Sequence, residues 1–119
     1  MTDYCERIRR MERRADRIAE ELDPDPPDEE RALELLRTGV GPTLAIYCEA
    51  RTSGSRIRFP DAEFDRLEET LDRWLALYAA CYGVDLDGEY SVRTAAELLV
   101  DTHNVRDVAT VLTGVPERR

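Results

Sequence analysis

The chain of 119 residues contains no lysine and no glutamine, and all 17 of its basic residues are arginine. Lysine is among the commonest residues of soluble domains, so its absence is a compositional bias. Histidine occurs once, as His103, and cysteine three times, as Cys5, Cys48 and Cys81. With no C-x-x-C pair and no second histidine, the usual spacings of zinc ligands are missing. An odd number of widely separated cysteines argues for reduced thiols rather than a disulfide framework. Neither a Gly-rich phosphate loop nor a G-x-S-x-G nucleophile motif is present. The longest apolar run is far too short to span a bilayer. The N-terminus lacks the apolar core of a signal peptide, although Arg9-Arg10 and Arg13-Arg14 are basic pairs. These absences lead to the expectation of a cytoplasmic, non-enzymatic protein with no metal, no cofactor and no membrane partner.

What is abundant is acid: 26 Asp and Glu give a net charge of −9. Arginine, aspartate and glutamate in place of lysine resemble the composition of the small uncharacterised proteins common in haloarchaeal genomes, those of halophilic archaea whose cytoplasm holds molar potassium chloride. That resemblance implies a solvent and brings no activity, cofactor or site residue with it. At about 1 M salt the Debye length is about 3 Å, so the surplus negative charges hardly repel one another. The length suits one domain that buries roughly two-thirds of its unfolded surface.

Apolar spacing predicts a mainly α fold of about five helices with one β-hairpin between the second and third. Residues 3–22 carry Tyr4, Ile8, Met11, Ala15, Ile18 and Leu22 at steps of three and four, a single helical stripe. The Pro- and Asp-rich segment 23–28 then reads as a stiff spacer. The second helix is expected from about Pro27 or Asp28 to Arg37, with Gly39 after its end. Between Gly41 and Pro60, Leu44, Ile46, Cys48 and Ala50 alternate with polar or smaller residues, as do Ile57 and Phe59. Thr52-Ser53-Gly54-Ser55 lies between the two runs, so period two predicts the hairpin. Helical spacing of Leu44, Tyr47, Cys48 and Arg51 is the competing pattern. The longest helix should run from Pro60–Asp61 to about Tyr82. A fourth is capped by Ser91 and ends near Asp101, and a last short one carries Val105, Val108, Ala109 and Leu112. The organisation is one domain over 1–119, with 1–22 as an N-terminal helix, 23–28 as spacer and 29–119 as body.

Five features are candidates for function. The stripe Tyr4, Ile8, Met11, Ala15, Ile18 and Leu22, held beyond a spacer, must bury itself on its own body or on a second copy. The expectation is a homodimer through this helix. The arginines Arg7, Arg9, Arg10, Arg13, Arg14 and Arg17 face only Glu12 and Asp16 across residues 7–17, a local surplus of four positive charges for an acidic protein partner or for phosphates. Arg7, Arg10, Arg14 and Arg17, with Asn104 and Arg106, are the expected contacts to nucleic acid or a protein. Ser91–Leu112 resembles a helix-turn-helix through Ala95, Val100, Val105 and Val108, and departs from it at Leu99, where a turn glycine is usual. That resemblance implies base readout by His103, Asn104, Arg106 and Thr110. Asp85-x-Asp87-Gly88 has part of a calcium loop, but Gly83 and Thr94 stand at the first and last ligand positions, so it reads as a turn. Trp74, Tyr78 and Tyr82 form either core or, with Tyr47, a pocket wall. Enzyme chemistry would require His103 to meet one of the three cysteines.

Overall fold

The N-terminal stripe folds inward on its own chain. In a computed structural model, which describes residues 4–23, 25–52 and 59–115, helix α1 (Cys5–Glu21) buries Ile8, Met11 and Ala15. Tyr4, Ile18 and Leu22 pack half-buried on the same core. Arginine, glutamate and alanine favour this helix locally, and it stops at Leu22, whose backbone is extended. Pro24, two residues on, restricts Asp23 to extended geometry. The spacer does not hold α1 away. It contains a cis Pro26–Pro27 bond, and the Asp28 N–H donates to the Cys81 carbonyl at 2.7 Å. This returns the chain to the end of the longest helix.

Helix α2 (Glu29–Leu35) begins where Asp28 accepts from the Arg31 N–H at 3.1 Å, with Glu29 and Glu30 at the positive end of the dipole. It does not stop at Arg37. A π-helical turn (Leu36–Val40) follows, closed by the Gly41 N–H donating to the Leu36 carbonyl, and leads directly into α3 (Gly41–Thr52). Pro42 explains the turn: it has no N–H for the Thr38 carbonyl, and its ring would clash in a regular helix. The helix absorbs one extra residue there instead of breaking. Gly39 lies against the Trp74 ring, where a Cβ would overlap Cε3, Cδ2 and Cζ3.

The predicted first hairpin strand, 43–51, is therefore helix. No strand occurs among the described residues, and the second run with Ile57 lies largely outside them. The physical reason is burial on several sides: Thr43, Leu44, Ile46, Tyr47 and Ala50 are all covered, so no single polar face marks the period.

Helix α4 (Asp61–Ala80) opens after Pro60 with Asp61 and Glu63 in its first turn. It closes in a Schellman motif: Gly83 adopts φ 75°, with Gly83 N–H to the Ala80 carbonyl and Val84 N–H to that of Ala79, both at 3.0 Å. Helices α5 (Val92–Thr102) and α6 (Val105–Thr113) are capped by Ser91 and Asn104. His103, between them in the left-handed region at φ 54°, makes the turn; Leu99, the position of the usual turn glycine, lies within α5. With α2, the π turn and α3 continuous, the described residues form five helical segments. Trp74 and Tyr78 sit fully buried in one core that extends from Ile8 to Val115.

Candidate interaction surface

Two helices set the charged surface. Tyr4 meets Phe59, Glu12 meets Arg66 at 3.8 Å, and Asp16 accepts from Arg73, so α1 and α4 run side by side in the same direction. The two carboxylates that sequence sets against the arginine cluster thus turn sideways onto α4. Arg7 reaches α3, donating to Glu49 at 2.6 Å. The hydrogen bond to Glu49 raises Arg7 above its ordinary guanidinium value, and the same bond lowers Glu49 below the usual carboxylate range. Arg14 donates to the Thr38 carbonyl at 3.0 Å, the acceptor that Pro42 leaves without its helical N–H.

The remaining arginines face outward. Arg9, Arg10, Arg13 and Arg17 are exposed, on the side of α1 opposite Ile8, Met11 and Ala15. Arg13 pairs with Glu6 at 3.0 Å; among the described residues Arg9, Arg10 and Arg17 make no ion pair. The structure therefore divides the expected contact residues. Arg10 and Arg17 stand on the open face, whereas Arg7 and Arg14 are spent holding α1 to α3 and the π turn. Arg9 and Arg13 complete a row about 12 Å long at the helical rise. The expected dimer stripe is covered by α4, α3 and the π turn of the same chain, so a second copy would reach it only by exchange of α1.

At the other end, α5 and α6 form two short helices joined by a tight turn. Asn104 uses its carboxamide oxygen on the N–H groups of Arg106 and Asp107, and Arg106 donates to Glu29 at 3.0 Å. His103 is exposed, and no hydrogen bond joins it to a cysteine among the described residues. Cys48 and Cys81 are both raised by burial, which favours the neutral thiol over the nucleophilic thiolate. Asp85 and Asp87 are exposed in an irregular segment. Among the described residues no group of three His, Cys, Asp or Glu is placed to hold a metal ion. Also among them, no helix is long and apolar enough to cross a membrane.

Sequence reasoning missed a groove between α3 and α5, of about 440 Å³, floored by Tyr47, Cys48 and Ala96 and edged by Val100, Arg51 and Asp101. The Arg51 guanidinium lies 5.9 Å from the Tyr47 ring centroid. No local pattern could have found it, because its walls lie far apart in sequence and α3 read as a strand. Trp74, Tyr78 and Tyr82 are core and take no part in it. No curated protein and no solved structure matches the chain. A family model described as Domain of unknown function (DUF8055) matches residues 2–117, almost the full length, and the chain belongs to that family.

Proposed function

We propose that this protein is a non-enzymatic interaction module of a salt-rich cytosol that presents the outer face of α1 to an acidic protein surface. One observation carries the reading: Glu12 and Asp16 are drawn to Arg66 and Arg73. The exposed arginines beyond them keep their charge in a chain of net −9. The absence of a disulfide among Cys5, Cys48 and Cys81 suits a reducing compartment. A carboxylate partner is favoured over phosphates for two reasons. Arginine binds carboxylate through short, bidentate hydrogen bonds that survive screening better than long-range attraction. Four phosphate contacts would bring a salt slope of about −3.6, a loss of roughly a thousandfold or more for a tenfold rise in salt. Asn104 and Arg106, two of the four base readers of a helix-turn-helix, are occupied in surface contacts within the chain.

The test uses fluorescence anisotropy with a helical peptide of about 20 residues bearing glutamate at every fourth position. A DNA duplex of similar length is the competitor, at about 0.2 M and about 2 M potassium chloride. Saturable peptide binding that weakens about tenfold or more when Arg9, Arg10 and Arg17 are replaced by alanine is the expected result. Absence of peptide binding at both salts sinks the reading. Tighter binding to the duplex at both salts replaces it with nucleic-acid recognition.

A further inference from the structure

We propose that the α3–α5 groove is the face on which a second copy of this chain docks, with the two copies related by a two-fold axis. The surface is separate from the outer face of α1 and does not rest on that reading. Val100 is 62% exposed and stands at the edge of the groove. Ala96, one turn earlier on α5, is only 5% exposed and forms part of the floor. A small residue one turn from a protruding one provides the depression and the knob that two packed helices exchange. A two-fold axis makes that exchange reciprocal, with Val100 of each copy seated over Ala96 of the other.

Charge names the occupant. Arg93 and Glu97 pair on the same wall at 3.3 Å. That leaves Arg51 on the α3 wall and Asp101 on the α5 wall, neither in an ion pair among the described residues. The four charges sum to zero, so this face of a net −9 chain does not repel its own copy. An acidic or basic partner would satisfy one wall and oppose the other. A second copy satisfies both, since the axis sets Arg51 of each against Asp101 of the other. The Cys48 thiol, raised by burial, enters the interface uncharged.

Sedimentation equilibrium of the full chain, at about 0.2 M and about 2 M potassium chloride, tests this. The wild type is expected to be dimeric. Val100→Glu should weaken the dimer about a hundredfold, because it puts an unpaired charge at the centre of the contact. Arg51→Asp and Asp101→Arg should each weaken it about tenfold at the lower salt. Together they should restore it to within about threefold, since the swapped charges meet again across the axis. A wild type monomeric at both salts overturns the proposal. So does a dimer that persists in Val100→Glu, or a double variant no better than the singles. Circular dichroism melts keep the variants interpretable, since all three side chains are exposed. Binding of the glutamate peptide to α1 should be unchanged in every variant.

Discussion

Two faces of α4 hold their neighbours by different physics. On one face, Trp74 sits against Gly39 of the π turn, and Tyr78 donates to the Val115 carbonyl at 3.1 Å with its ring edge-on to Tyr82. This seam is buried and set by shape. On the other face, Glu68 accepts from the Val92 N–H at 2.9 Å and Asp72 from the Tyr90 N–H at 2.8 Å. Here two carboxylates accept from the backbone at the start of α5, beside the fully buried Val92 and Ala95. The cost of that choice shows in Asp72: desolvation raises it most, the hydrogen bond from Tyr90 opposes that, and Glu68, Glu89 and Glu69 raise it further. The comparison teaches that one helix can be fitted to one neighbour by volume and to another through hydrogen-bond acceptors whose charge is a cost, with different responses to salt and acid.

Gly39→Ala breaks the shape-set seam and should have the largest effect, about 3 kcal/mol lost, because the new methyl must displace the Trp74 ring or the π turn. Urea unfolding should show the same deficit at low and high potassium chloride; a deficit that salt removes would contradict a steric origin. Tyr78→Phe comes next, at about 1–2 kcal/mol, since it orphans the buried Val115 carbonyl. Burial raises the Tyr78 hydroxyl to about 12, with Tyr82 adding to the rise. It therefore stays protonated and donating throughout the pH range of ordinary unfolding experiments.

Asp72→Asn probes the polar seam and should act in the opposite direction, with a smaller effect. Asparagine still accepts from Tyr90 without the disfavoured charge, so the variant should be more stable than wild type at neutral pH. The native state holds the Asp72 proton more tightly than the unfolded chain does. Its contribution to stability is thus present at low pH and lost as pH rises through the carboxylate range. The variant's advantage should vanish in acid, and added salt should remove only the part due to Glu68, Glu89 and Glu69. A variant less stable than wild type at neutral pH would show that the charge itself holds α5.

Glu49→Gln should give the smallest change, with the reverse sign. Arg7 lowers Glu49, so that contribution is present above the ordinary carboxylate value and is lost as pH falls. Thermal melts of the variant and wild type should differ slightly at neutral pH and converge in acid. Both residues are largely exposed, which keeps the effect small.

Much of this architecture is legible in the chain. The α1 stripe, the cap at Ser91, the start of α2 near Asp28 and the long α4 follow from local rules, because each of these helices has one buried side and a polar remainder. Helix α3 was not legible. Gly39, Gly41 and Pro42 are helix breakers by local rules, yet the π turn uses Gly39 for close packing against Trp74 and tolerates the proline. The arginine surplus on α1 could be counted, but which arginines face outward could not. That depended on Arg66 and Arg73 arriving from α4 to take Glu12 and Asp16.

The sequence by itself therefore determined the helical class, the position of most helix ends and the excess of negative charge, since these depend on neighbours within one or two turns. Tertiary structure alone decided three things. It turned the α1 stripe inward, carried the helix through the π turn, and opened a groove edged by Arg51, Val100 and Asp101. The physical reason is common to all three: each depends on contacts between residues many positions apart, and no local period or propensity records which surfaces a folded chain brings together.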